Sequence, residues 1–137
     1  IKNLASQIVF LLLRDSLPEY ALSTANRRYD NYLLEAIQYM RTYYSSSITI
    51  EDICRYIYLS PSHFKRVFKA EIGITPYRFL LKVRIDKAKQ VLSNEDYSVD
   101  EVARLCGFAN AGHLSTVFKS SEGVTPLEYR RRGACHE

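Results

Sequence analysis

The sequence predicts an all-α fold in which one helical unit occurs twice. Apolar residues recur at helical spacing along most of the 137 residues, and the five glycines and four prolines are few enough to predict a chain that is ordered almost throughout. The third observation is an internal repeat, in which residues return after fifty positions: His63 and His113, Phe68 and Phe118, Gly73 and Gly123, Pro76 and Pro126. Such a repeat in a helical chain indicates one structural unit used twice.

Residues 1–28 stand apart from the repeat. Asn3–Leu17 predicts an extra N-terminal helix, because its apolar residues fall at helical spacing and Pro18 follows its end, and residues 18–28 have the composition of a linker. The chain begins with isoleucine rather than methionine, so we expect a fragment of a longer protein. Two interpretations of the helix stay open: the end of a missing effector-binding or dimerisation domain, or a helix through which two copies form a homodimer.

The next helix is predicted from about Tyr29 to Tyr44, where three serines end it. The first repeat unit follows at about residues 49–73. Thr49 caps a short helix, a turn comes at Leu59 and Ser60, and a second helix runs over 61–71 before Gly73 ends it.

The second unit has the same anatomy over about residues 98–123. Ser98 caps its first helix, a turn follows at 107–110, and a second helix covers 111–122. Small residues at equivalent places in the first helices, Cys54 and Ala103, allow the two helices of each unit to approach closely. The pattern is that of two helix-turn-helix units joined by a linker helix over 76–92.

Positive charge is concentrated in the first unit and the linker. Residues 60–90 hold eight basic and two acidic residues, a net charge of +6 against +4 for the whole chain. The basic residues are Lys65, Arg66, Lys69, Arg78, Lys82, Arg84, Lys87 and Lys89. A surface that binds nucleic-acid phosphates needs such a concentration, although a solvated helix face can be equally basic.

The second helix of the first unit has two opposite faces. Its apolar stripe of Phe64, Val67 and Phe68 belongs to the core. The outward stripe consists of Ser62, Lys65, Arg66 and Lys69. Arginine makes two hydrogen bonds to guanine and lysine reaches guanine or phosphate, so this face suits a DNA major groove.

The equivalent face in the second unit carries less charge. It consists of Gly112, Ser115, Thr116 and Lys119, without an arginine, so we expect less base discrimination there. Asn110 at the helix start either hydrogen-bonds adenine or caps the helix. The linker helix, about 25 Å long, can hold the two units about one DNA turn (~34 Å) apart, which predicts binding in successive major grooves.

These motifs resemble the C-terminal DNA-binding domain of AraC/XylS-type transcription regulators over about residues 29–132. They include Leu59-Ser60-Pro61-Ser62-His63-Phe64-Lys65-Arg66 and Gly73-Ile74-Thr75-Pro76 in the first unit, and Cys106-Gly107-Phe108, His113-Leu114-Ser115 and Gly123-Val124-Thr125-Pro126 in the second. The resemblance implies a domain of about seven helices, and it implies that residues 29–137 bind a promoter and activate or repress transcription. It implies double-stranded DNA and RNA polymerase as partners, and a small-molecule effector that binds a missing upstream domain.

By position, the resemblance assigns base reading to Ser62, Lys65, Arg66, Ala111, Gly112, Ser115 and Thr116, to which we add Asn110. We assign phosphate contacts to Thr49, His63, Lys69, Lys82, Ser98, His113 and Lys119. Family members often have an arginine where Thr116 stands and a larger polar residue at Gly112. The second unit is therefore expected to set the register more than to read bases.

Other functional classes fit less well. Cys54, Cys106 and Cys135 are odd in number and far apart, which argues against disulfides and for the reducing cytoplasm, and we expect no metal or other cofactor. No carboxylate pair or phosphate-binding glycine loop indicates an enzyme. The apolar run 8–13 is far shorter than the ~20 residues that a membrane span needs. The main alternative is a protein-interaction or dimerisation module without sequence-specific DNA binding.

Overall fold

The computed structural model describes residues 27–134 and is α-helical, without strands, over that range. Its seven helices are α1 (Arg27–Tyr43), α2 (Ile50–Ile57), α3 (Pro61–Ile72), α4 (Pro76–Leu92), α5 (Val99–Leu105), α6 (Ala111–Glu122) and α7 (Pro126–Ala134). The all-α prediction is confirmed for this part of the chain, and the linker helix α4 has the predicted bounds. The predicted helix Asn3–Leu17 lies outside the described residues.

The described residues divide into two compact units. The first contains α1 as far as Thr42 together with Ile48–Phe79, and the second contains Tyr43–Ser47 and the chain from Leu80 onward. Helices α2 and α3 therefore belong to the first unit, and α5, α6 and α7 to the second. Each unit holds one copy of the repeat that the sequence predicts.

The core of the first unit forms because α1, α2 and α3 each place apolar residues at helical spacing on one face. The buried residues are Leu33, Ala36, Ile37 and Met40 of α1, Ile53, Cys54 and Ile57 of α2, and Phe64, Val67, Phe68 and Ile72 of α3. Phe68 packs edge-on against both Phe64 and Phe79, with ring centroids 5.5 and 5.6 Å apart. Such aromatic pairs add about 0.5–1.5 kcal/mol each beyond the area they bury.

The core of the second unit repeats this arrangement. Its buried cluster consists of Ile85, Ala88, Leu92, Val102, Ala103, Cys106, Phe108, Leu114, Phe118 and Val124. Phe118 packs edge-on against Tyr129 at 5.4 Å, in the place that Phe68 and Phe79 occupy in the first unit. The sequence repeat is thus a repeat of packing.

Helices α2 and α5, the first helices of the two helix-turn-helix pairs, each begin at a capping box, as predicted. The Thr49 hydroxyl accepts the N–H of Asp52 at 3.1 Å, and the Asp52 carboxylate accepts the N–H of Thr49 at 2.9 Å. Ser98 and Glu101 exchange the same two bonds at 3.2 and 2.7 Å. Each box pairs N–H groups that a helix start leaves open, and a cap of this kind contributes about 1 kcal/mol.

The turn between α2 and α3 closes in the same way as the turn between α5 and α6. The N–H of Leu59 donates to the carbonyl of Cys54 at 3.2 Å, and the N–H of Phe108 donates to the carbonyl of Ala103 at 2.9 Å. These pairs are equivalent in the repeat. Helices α3 and α6 then end at left-handed glycines, Gly73 and Gly123, as predicted.

The residue before each turn donor has a left-handed backbone, but the two units use different residues there. Gly107 has φ 85°, and a Cβ at this position would clash with the carbonyl oxygen of Tyr44. Only glycine fits this close approach. The first unit has Tyr58 at the equivalent place, with φ 59° and a side chain that is 91% exposed. A left-handed conformation is strained for tyrosine.

Candidate nucleic-acid interface

Helix α3 separates an apolar face from a cationic one. Ser60 caps its start by accepting the N–H of His63 at 3.3 Å, and Pro61 occupies the first turn. The apolar stripe is buried in the first unit, so the opposite stripe faces solvent. That exposed stripe consists of Ser62, Lys65, Arg66 and Lys69, as predicted from the helical spacing.

A side-chain hydrogen bond orients the Arg66 guanidinium. Its Nη2 lies 3.0 Å from Nδ1 of His63, one helical turn earlier on α3. Residues three apart on a helix are neighbours, so the bond forms without distorting the backbone. A guanidinium has five N–H donors, and one bond to His63 leaves most of them for a base edge or a phosphate.

Helix α6 presents a less charged face. Gly112, Thr116 and Lys119 are exposed, whereas Ala111 and Ser115 are half-buried. The Thr116 hydroxyl donates to the carbonyl of Gly112 at 3.0 Å, so its proton is used within the helix. Lys119 is the single cation of the outward stripe of α6, whereas that of α3 has three.

Asn110 caps α6. Its Oδ1 accepts the N–H of His113 at 2.8 Å, and its backbone is extended, as an N-cap requires. Of the two interpretations that the sequence left open, the capping one is confirmed. The side-chain amide NH₂ takes no part in this cap bond.

The two repeat-related histidines have different surroundings. His63 contacts Arg66, whereas the His113 ring packs edge-on against Phe108 with centroids 5.3 Å apart. Nδ1 of His113 is buried and has no hydrogen-bond partner among the described residues. A phosphate contact from this ring would have to use Nε2.

The other predicted phosphate contacts lie on two kinds of position. Thr49 and Ser98 are exposed N-caps, each paired in a capping box with a carboxylate of the first turn. Lys69 and Lys119 are exposed near the ends of α3 and α6, and Lys82 is half-buried on α4. N-cap hydroxyls and lysines of this kind are common partners of DNA phosphates.

Comparison with known proteins identifies the architecture. The Helix-turn-helix domain family matches residues 53–132. The raffinose operon transcriptional regulatory protein RafR of Pediococcus pentosaceus is 31% identical over 131 residues, which are 93% of this chain and 47% of RafR. The chain belongs to the AraC family of transcriptional regulators. The curated relative is more than twice as long as the matched segment, so this AraC-type chain spans about half of it.

Solved structures of AraC-type domains have the same fold. The DNA-binding domain of AdpA, determined in complex with a target DNA, is 30% identical, with a TM-score of 0.73 over 77% of this chain and 95% of that domain. A Chromobacterium violaceum transcriptional regulator with an AraC-type DNA-binding domain is 28% identical, with a TM-score of 0.71 over 80% of this chain and 97% of that one. Within residues 27–134, none of the helices has the length and apolarity to cross a membrane.

One basic residue of the charged stretch is not on the surface of the AraC-type domain. The sequence groups Arg84 with the other cations of residues 60–90, but its side chain is 6% exposed. Nε donates to the carbonyl of Tyr44 at 2.8 Å and Nη2 donates to that of Ser46 at 3.0 Å. Counting Arg84 toward a phosphate-facing surface is wrong, because its donors hold the Tyr43–Ser47 turn. Helical spacing was the available signal, since Arg84 shares a face with buried Leu80 and Ala88.

Two further cations of this stretch have local partners. Lys89 Nζ lies 3.0 Å from a carboxylate oxygen of Glu122, and Lys87 Nζ lies 5.9 Å from the centre of the Tyr44 ring. Burial would lower the pKa of Lys89, but the hydrogen bond and charge of Glu122 outweigh it and raise that pKa. The cations that remain exposed are Lys65, Arg66, Lys69 and Arg78.

Arg130 is also a structural residue. The basic run 130–132 is close to the end of the sequence and could contact phosphate or fray, yet Arg130 lies within α7. Its Nε donates to the carbonyl of Leu92 at 3.0 Å, and its Nη2 donates to that of Tyr97 at 2.6 Å. These bonds tie α7 to the end of α4 and the following loop.

The two described cysteines are core residues. Cys54 and Cys106 are buried free thiols. Burial raises the pKa of both, that of Cys106 to about 11, so both stay protonated and unreactive near neutral pH. No group of metal-ligating side chains occurs among residues 27–134.

Proposed function

We propose that this chain binds double-stranded DNA sequence-specifically at a promoter and regulates transcription, with α3 and α6 as its recognition helices. The observation that carries the proposal is the α3 surface, where Lys65, Arg66 and Lys69 are exposed opposite a fully buried apolar stripe. An outward helix with this chemistry is what a major groove accommodates. AraC family membership supports the same conclusion.

The first unit reads bases and the second sets the register. Arg66, positioned by His63, makes two hydrogen bonds to a guanine, and Ser62 and Lys65 contact neighbouring bases. The face of α6 can make weaker contacts only, since Thr116 uses its proton within the helix and Gly112 has no side chain. The base contacts of this second unit come from Asn110, Ala111, Gly112, Ser115 and Thr116.

Phosphate contacts hold the two units on the duplex. Thr49 and Ser98 contact phosphates from their exposed positions at the starts of α2 and α5. The remaining phosphate contacts come from His63, Lys69, Lys82, His113 and Lys119. With both units bound, the recognition helices occupy successive major grooves of one promoter.

Other partners follow from the family. The DNA target places the protein in the cytoplasm, where RNA polymerase is its partner at the promoter. An effector-binding domain upstream of this segment receives a small molecule, and Asn3–Leu17 or that domain forms a homodimer.

Selection of bound sites from random duplex DNA, followed by affinity measurements over a salt series, tests the proposal. We expect one enriched motif and a log–log salt slope of about −0.9 for each phosphate neutralised. A protein-interaction module would enrich no motif and bind no duplex at low salt, and that result would refute the DNA-binding function.

A further inference from the structure

A groove of about 300 Å³ flanks the recognition helix of the first unit. It is lined by Ile50, Lys65, Arg66, Lys69, Thr75, Pro76 and Tyr77. One wall consists of the three α3 cations, and the other consists of the start of α4 with Ile50 of α2. Among residues 27–134 no carboxylate lines it, so the groove combines positive charge with apolar surface.

Tyr77 is one of the residues that line this groove. It is the second residue of α4, its side chain is 51% exposed, and its neighbours Pro76 and Phe79 are buried. The Thr75 hydroxyl is already used in capping α4, since it accepts the N–H of Arg78 at 3.3 Å. The fold therefore leaves the tyrosine ring facing solvent beside Lys65, Arg66 and Lys69.

The second unit provides an internal comparison. Leu127 occupies the place of Tyr77 and is 50% exposed, and Thr125 and Pro126 repeat Thr75 and Pro76. A large apolar side chain thus projects into solvent at the same position of both units. The cationic wall does not recur, because Ser115 and Thr116 replace Lys65 and Arg66. Within residues 27–134, the first unit alone pairs an exposed aromatic ring at this position with a dense cationic wall.

The dimensions of DNA indicate what lies beside α3 when it is bound. A major groove is about 12 Å wide and a helix with its side chains is about 10–12 Å across. The sugar-phosphate strands that border the groove therefore run directly along the flanks of the recognition helix. Their deoxyribose rings are apolar, and their phosphates recur once per nucleotide.

We propose that this flanking groove binds the sugar-phosphate backbone of one DNA strand, with the Tyr77 ring packed on a deoxyribose and its hydroxyl donating to a phosphate. Lys69 neutralises the adjacent phosphate. Lys65 and Arg66 border the strand with their aliphatic stems while their charged ends reach the bases. The inference rests on the proposed DNA-binding function and adds Tyr77 to the DNA contacts. Backbone contact carries no sequence information, so Tyr77 strengthens binding to every duplex.

Anisotropy titrations of the full 137-residue chain on a selected duplex and on a random one test this assignment. Tyr77→Ala is expected to weaken both by about tenfold, because one partly buried ring and one hydrogen bond to phosphate have that combined effect. Tyr77→Phe should lose only the part that the hydroxyl contributes. The salt slope should stay unchanged in both variants, whereas Lys69→Ala should reduce it by about one phosphate.

Tyr32→Ala is the matched control, since Tyr32 lies on α1 of the same unit and is 40% exposed. It should bind both duplexes like the parent. The inference would be overturned if Tyr77→Ala bound both duplexes like the parent, or if it lost affinity for the selected duplex alone. It would also be overturned if the variant kept its DNA affinity but lost self-association in light scattering. Failure of the parent chain to bind any duplex would instead refute the proposed function. Circular dichroism melting of each variant separates these outcomes from misfolding.

Discussion

Arg66 shows how one residue connects the sequence pattern to recognition. Its place on the outward stripe of α3 follows from helical spacing, but the bond to His63 that orients its guanidinium is a feature of the structure. An oriented guanidinium loses less side-chain entropy when it forms two bonds to a guanine, and it rejects bases that cannot accept both.

Arg66→Ala is expected to cost ~1–3 kcal/mol of binding free energy on the selected site and to relax preference at one base pair. Competition titrations against single-base-pair variants of that site measure both effects. Lys82→Ala is the comparison. Because Lys82 is assigned a phosphate contact, its loss should weaken binding to selected and random DNA equally. Equal losses on both DNAs for Arg66→Ala would show that Arg66 contacts phosphate only.

Tyr58 departs from the glycine that its repeat partner uses. Its left-handed backbone is strained, and its 91% exposed side chain contributes little packing in return. Tyr58→Gly should therefore raise the free energy of unfolding by about 0.5–1 kcal/mol, as measured by urea denaturation. Gly107→Ala is the opposite test: a Cβ there clashes with the Tyr44 carbonyl, so that variant should be destabilised. A destabilised Tyr58→Gly would show that the tyrosine ring has a structural role.

At the scale of helices, the capping boxes make the starts of α2 and α5 sensitive to acid. The N–H and hydroxyl of Ser98 and the charge of Arg104 lower the pKa of Glu101 below the usual 4.5. Asp52 is affected in the same way, first by the N–H of Thr49. A carboxylate whose pKa is lowered by folding stabilises the fold above the unfolded pKa, and that contribution is lost as the pH falls through the folded pKa.

Glu101→Gln keeps the capping geometry and removes the charge. The difference in Tm between parent and variant should be present at pH 7 and should shrink as the pH falls below 4.5. Melting curves from pH 7 to 3 measure it, with Glu95→Gln, an exposed residue outside the caps, as the control. A difference that persists at pH 3 would mean that the charge of Glu101 is not its source.

At the scale of the whole molecule, the joining of two units by the continuous helix α4 leads to a prediction about the operator. If the units bind successive major grooves, their two contact regions keep a defined spacing along the DNA. Inserting five base pairs between the regions should remove the contribution of the second unit, because about half a helical turn moves its major groove to the opposite side of the DNA. Inserting ten should restore part of it. Footprints and affinities of the three operators measure this, and equal affinities would show that one unit binds alone.

The helices, their caps and the polarity of their faces were predictable from the sequence because they depend on residues within a few positions. The capping boxes at Thr49 and Ser98, the glycine ends at Gly73 and Gly123 and the outward stripe of α3 are all local. The internal repeat also predicted two units of equivalent fold, because equivalent apolar residues build equivalent cores.

The roles of Arg84, Arg130 and Tyr77 were decided by tertiary structure. The partners of both arginines lie 33–40 residues away along the chain. Helical spacing places Arg84 on a face with buried residues, but it does not reveal which carbonyl oxygens folding brings to a charged side chain. The Tyr77 groove likewise exists only where the starts of α2 and α4 meet the flank of α3. The sequence by itself determined two helix-turn-helix units with a cationic first recognition helix, and the tertiary contacts determined which cations of the chain remain free to meet DNA.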